Sequence, residues 1–210
     1  VGNPQVSYRE CIKKENSGTE EWDRTIANKE NIAKLSMTVK PNPPKTGNTF
    51  HISAKTREIP EEILDAIKEG VAGAFRSGIK YGYECTDIDV DITSIEYDEL
   101  TSTPLAFTSC AAMAFDRICQ EAGAIIMEPI MKVQASAPSE YIGDVISTIT
   151  QRGGIVLSME NRNGSDTVVA ECPLEKMFGY TTVLRSSTQG RGTFSMEFDH
   201  YAEKAGGLGF

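Results

Sequence analysis

Apolar and polar positions near the end of the chain follow a pattern that can be read directly. From Gly192 to Tyr201 the period is two, predicting a strand with Phe194, Met196 and Phe198 inward and Ser195, Glu197 and Asp199 outward. Upstream, EPIMKVQA (128–135) puts Met131, Val133 and Ala135 on one face of another strand. Pro138 and Ser139 then open a helix whose stripe is Ile142, Val145, Ile146 and Ile149, and Gly153 and Gly154 stop it. A strand over Ile155–Met159 turns at Asn161-Arg162-Asn163-Gly164, since Asn-Gly tolerates positive φ, and returns over Thr167–Cys172. Pro173 precedes a second helix with Leu174, Met177, Phe178 and Leu184 near one face. The order is β-α-β-β-α-β, a ferredoxin-like arrangement of an antiparallel sheet backed by two helices.

The first half is less regular. Val6–Cys11 reads as a strand, Lys13–Arg24 only as a polar stretch. Leu35, Met37 and Val39 alternate with polar residues, as do Phe50, Ile52 and Ala54, with a Pro-rich turn at Pro41–Asn48 between them. A helix over 60–77 has Pro60 at its first position, Glu61 and Glu62 in its first turn, Gly78 past its end and a stripe of Ile63, Ile67, Val71 and Phe75. A strand over 87–97 alternates Ile88, Val90 and Ile92 with Asp87, Asp89 and Asp91. Thr103-Pro104 caps a long helix ending at Gly123. The fold class is α+β in two domains, 1–124 and 125–203, joined with almost no linker and therefore coupled, with a loose tail over 204–210.

Charge changes this picture little. The chain carries 21 basic and 30 acidic residues, net −9, so any nucleic-acid contact has to be local rather than a bulk field effect. No apolar run is long enough to span a membrane. The start, VGNPQVSYRE, is neither signal nor transit peptide and has no initiator Met, which suggests a piece of a longer chain. Five scattered cysteines without C-x-x-C argue against disulfides and thiolate zinc and for a reducing cytoplasm.

Candidate chemistry is sparse. Asp87, Asp89 and Asp91 imitate the start of a calcium loop, but Ile92 stands where that loop needs glycine, so they read as the wet face of a strand. No G-x-x-x-x-G-K-[ST] occurs, and neither His51 nor His200 has a neighbouring nucleophile signature. No catalytic residue and no metal ligand is expected. Arg185, Gln189 and Arg191 lie in a glycine-bearing stretch at a helix end, as do Gln151 and Arg152, where arginines, hydroxyls and bare backbone suit phosphate.

VGNPQVSYRE (1–10), EPIMKV (128–133), GDVIS (143–147) and PLEKMFGYTTVLRSSTQGRGTFSMEFDHY (173–201) resemble the bacterial elongation factor G family. IPEEILDAIKEG (59–70) and TPLAF (103–107) are similar to landmarks of its fourth domain. The resemblance implies an S5-domain-2-like α+β fourth domain followed by a ferredoxin-like fifth domain. It implies a ribosome-contacting part of a factor that promotes GTP-dependent translocation of tRNA and mRNA, itself a monomer and no enzyme. GTP and Mg would belong to a G domain elsewhere in the parent. Partners implied are decoding-site RNA, tRNA and mRNA at the fourth domain's tip, and the GTPase-associated centre and sarcin–ricin loop near the fifth domain.

Two departures fall at the implied tip. A seven-residue stretch, Ala27–Ala33, stands where the family has a glycine-rich loop, and Asp98-Glu99 follows Tyr97 where it has a histidine. They suggest a divergent paralogue specialised for recycling, with ribosome recycling factor as a further partner. A tetracycline-resistance-type ribosome-protection protein would share the architecture, and an independent binding module would share only the fold. The expected contact residues are Asn28, Lys29, Asn31, Tyr97, Asp98 and Glu99 at the tip, and Gln151, Arg152, Arg185, Gln189 and Arg191 in the fifth domain.

Overall fold

The computed structural model of the protein describes residues 6–206. They form two compact units, one built on Tyr8–Met127 and one on Glu128–Ala202. The first unit contains β1 (Arg9–Ile12), β2 (Asn16–Ile26), β3 (Lys29–Pro41), β4 (Thr49–Ile52), α1 (Glu61–Ser77), β5 (Ile88–Glu96) and α2 (Pro104–Ala122). Its main sheet has the order β2-β3-β5-β4. The first three strands are antiparallel, and β4 runs parallel to β5 because α1 makes the crossover. β1 pairs separately with the opening residues of β6 (Ala124–Pro138).

β2 is the strand that the polar stretch hid. Its helix-facing positions are Asn16, Gly18, Glu20 and Trp22, which give no apolar alternation. Helix α2 explains them. A Cβ at Gly18 would lie 3.0 Å from Ile118 Cγ1, so the helix crosses where the strand has no side chain. Asn16 Nδ2 donates to the Ile118 carbonyl (3.0 Å), and Arg117 Nε donates to Glu20 Oε2 (2.8 Å). The opposite strand supplies the greasy side, with Ala33, Leu35, Met37 and Val39 all buried. The first strand starts later than expected, at Arg9, and Pro60 precedes α1 rather than opening it, its ψ of 145° being extended.

Asp87, just before β5, and Asp89 and Asp91 within it are not a wet face. Asp87 and Asp89 are buried, and all three hold the β4 side of the unit. Asp87 Oδ1 accepts from Gly47 N (2.7 Å), Asp89 Oδ1 from Thr49 Oγ1 (2.5 Å), and Asp91 from Ser53 N and Oγ (both 3.0 Å). An edge strand four residues long leaves its neighbour's polar side chains to fasten the connecting loops.

The second unit has α3 (Ile142–Gln151), β7 (Ile155–Arg162), β8 (Ser165–Pro173), α4 (Tyr180–Ser187) and β9 (Thr193–Glu203), with β6 between β8 and β9. This is the expected ferredoxin-like order. Asn163 (φ 52°) and Gly164 (φ 81°) make the two-residue turn between β7 and β8. Val133, Ala135, Val168, Ala170, Val145 and Ile149 form the centre of its core.

Two details differ from expectation. The second helix is broken: Leu174–Lys176 is a 3-10 turn, Gly179 is left-handed (φ 77°), and only Tyr180–Ser187 is α-helical. The break turns Phe178 outward and buries Tyr180, whose hydroxyl pairs with Thr148 Oγ1 at 2.9 Å. Of the three inward residues expected on β9, only Phe194 packs on the core; Met196 and Phe198 are 38% and 53% exposed. The tail expected over 204–210 lies largely outside the described residues.

Candidate functional site

The β2–β3 hairpin and the loop from β5 to α2 meet at one end of the first unit, where Ile32 N donates to the Thr101 carbonyl (2.9 Å). Ala27 (φ 51°) and Asn28 (φ 63°) are both left-handed, which closes the hairpin as a two-residue turn of type I′. The seven-residue loop expected over Ala27–Ala33 is therefore two residues long, and β3 already runs from Lys29.

Asn28 and Lys29 are exposed at this tip. Asn31 is not: it is 7% exposed, its Nδ2 donates to the Lys29 carbonyl (3.1 Å), and its Oδ1 accepts from Thr103 Oγ1 (2.9 Å). The same hydroxyl accepts from Ala106 N (3.2 Å) and caps α2. Asn31 thus ties the hairpin to the start of the helix and does not offer its side chain to a partner.

Asp98 builds its own loop. Its Oδ1 accepts from Leu100 N (2.8 Å) and its backbone N donates to Ser102 Oγ (2.9 Å). Tyr97 and Glu99 line a cleft of about 550 Å³ with Lys55, Arg57, Glu58 and Ile59. Lys55 and Arg57 are exposed cations that no sequence motif singles out.

In the second unit most backbone N–H groups of the glycine-bearing stretch 188–192 are already used within the turn. Gly190 N donates to the Arg185 carbonyl (2.7 Å), Arg191 N to the Thr188 carbonyl (3.1 Å) and Gly192 N to Thr188 Oγ1 (2.7 Å). It also follows the C-terminal end of α4, whose dipole disfavours anions. Phosphate contact there falls mainly to side chains. Arg185 and Gln189 are exposed, and Arg191 is exposed but 3.4 Å from Glu140 Oε1. Arg152 is committed elsewhere. Its Nη1 donates to the carbonyls of Lys176 and Phe178, and its guanidinium lies 5.5 Å from the Tyr180 ring, clamping the break before α4. Gln151 is exposed at the end of α3.

Thiol chemistry has no support. All five cysteines are buried, and burial pushes Cys11 up to about 11 and Cys85 and Cys110 up to about 12. Among the described residues Glu171, Asp199 and His200 make one group close enough for a metal, with ligand atoms within 4.8 Å of one another. His200 Nδ1 already sits 2.6 Å from Asp199 Oδ2, so the pair is satisfied without an ion.

Comparison with known proteins gives one consistent result. Residues 4–123 match the family model for elongation factor G, domain IV, and residues 125–208 match that for the elongation factor G C-terminus. Elongation factor G 1 of Treponema denticola is 45% identical over 97% of this chain, and elongation factor G 2 of Treponema pallidum is 39% identical over 96%. The chain spans 31% of the length of each. A crystal structure of a Thermus thermophilus protein superposes with a TM-score of 0.86 at 31% identity, covering 96% of this chain and 30% of that one.

Proposed function

Because the chain belongs to the elongation factor G family, we propose that it is the ribosome-contacting portion of an elongation factor G-type translation factor that promotes GTP-dependent movement of tRNA and mRNA. Tyr8–Met127 would correspond to the family's fourth domain and Glu128–Ala202 to its fifth, with the boundary near Gly123. The hairpin tip would be the end presented to small-subunit RNA, tRNA and mRNA. The exposed Gln151, Arg185, Gln189 and Arg191 would face large-subunit RNA. GTP and Mg would act in a part of the parent factor outside these residues, and the cytoplasm would be its compartment. Among the described residues no helix is long and apolar enough to cross a membrane.

The observation that carries this reading is the pair of family matches running almost without interruption from residue 4 to residue 208. Co-sedimentation of the 210-residue chain with 70S ribosomes tests it. The chain should pellet, and excess elongation factor G should displace it. A chain that stays in the supernatant at low salt would overturn the reading.

A further inference from the structure

The tip carries Glu21, Asp23, Glu30, Asp98 and Glu99, which on charge alone should repel RNA. Register sorts this charge. Residues opposite each other in an antiparallel pair project from the same face, and successive residues from opposite faces. The β2–β3 ladder runs without a shift, with Trp22 opposite Ala33, Arg24 opposite Asn31 and Ile26 opposite Lys29. These make the helix-side face, as burial of Ala33 and Asn31 confirms. Glu21 is opposite Lys34, Asp23 opposite Ile32 and Thr25 opposite Glu30, which makes the outer face.

The last rungs are therefore segregated. The outer face holds Glu21, Asp23 and Glu30, and its cation Lys34 is taken up by Glu96 at 3.9 Å. The helix-side face holds Trp22, Arg24, Ile26 and Lys29 and no acid beyond Glu20, which Arg117 neutralises at 2.8 Å. The Arg24 guanidinium lies 5.4 Å from the Trp22 ring centroid, and neither Arg24 nor Lys29 is in an ion pair among the described residues. Ile26 is 44% exposed. An indole, a planar cation, an apolar side chain and a second cation in successive rungs are the parts that hold an unpaired nucleotide: a base stacks on the flat groups and its phosphates meet the charges.

We propose that the helix-side face of the hairpin is its RNA-binding face, with Trp22 and Arg24 as the stacking platform for an unpaired RNA base and Arg24 and Lys29 as its phosphate contacts. This rests on the ribosome reading above and adds the face and the chemistry to it. The outer, acidic face then points away from RNA and limits binding in the wrong orientation.

The test uses the 210-residue chain on 70S ribosomes, with photoreactive benzoylphenylalanine placed either at Trp22 or, on the other face, at Glu21. RNA crosslinks should come from the first site and be scarce from the second. In a chain free of the photoprobe, Arg24→Gln with Lys29→Gln should weaken ribosome binding about tenfold at low salt, as expected for two lost phosphate contacts. Glu21→Gln with Asp23→Asn should leave it unchanged. Equal crosslinking from both faces, or unchanged affinity without the two cations, overturns the inference while the ribosome reading stands. If the unsubstituted chain does not bind ribosomes, the earlier reading fails instead.

Discussion

Glu10 has no exposed surface and accepts four backbone hydrogen bonds, from Ile79, Lys80, Tyr81 and Tyr83, at 2.9–3.2 Å. A carboxylate suits four donors because it is acceptor-only. Glu10→Gln turns an NH2 group toward two of them, and we expect a loss of about 2–4 kcal/mol in urea unfolding. The buried thiols set a pH limit. A thiol that is harder to ionise when folded leaves the unfolded chain binding fewer protons above pH 9, so stability falls as pH rises. Denaturation midpoints should hold below pH 9 and drop between about pH 9 and 11, where Cys11 and Cys85 resist ionisation only when folded. In the native state at pH 8 a thiol reagent should label none of the five. Neither behaviour was legible from the sequence, which gives Glu10 as one acid among many. Asp87 and Asp89 were illegible for the same reason, since alternation shows which face a residue occupies but not whether a loop covers that face.

At the scale of elements, the helices were the most legible because their caps and stripes are local. α2 starts and stops where Thr103 and Gly123 say it should. β2 was not legible, since its inner positions answer to a helix ninety or more residues away. The break before α4 was missed because a left-handed Gly179 is indistinguishable in sequence from a helical glycine. Close packing between α1 and α2 makes a sharp prediction. Alanine at Gly70 should improve helix propensity by about 1 kcal/mol. Its Cβ would instead drive into the Thr108 carbonyl, a backbone atom that cannot step aside. Gly70→Ala should therefore destabilise the chain by about 2–3 kcal/mol in thermal or urea unfolding. The tip has its own test: Thr103→Ala removes both the α2 cap and the partner of Asn31 and should cost about 1–2 kcal/mol.

Over the whole molecule, 30 acidic residues against 21 basic ones give a net charge of −9, so the RNA contacts proposed above should be few and placed rather than spread over a basic surface. Ribosome binding should weaken with salt along a shallow slope of roughly −2 to −4 in log K against log salt, the mark of a few phosphates rather than a basic surface. Family membership was legible in the long match at 173–201; the face of the hairpin was not, because it depends on register between strands. The burial of all five cysteines makes the most direct test of the central claim practical. Thr25→Cys, on the exposed hairpin, would be the one reactive thiol and could carry an iron–EDTA tether without touching Trp22, Arg24 or Lys29. On 70S ribosomes, hydroxyl radicals from that position should cut small-subunit RNA around the decoding site. Cutting confined to other regions, or none from a chain that is bound, would contradict the account.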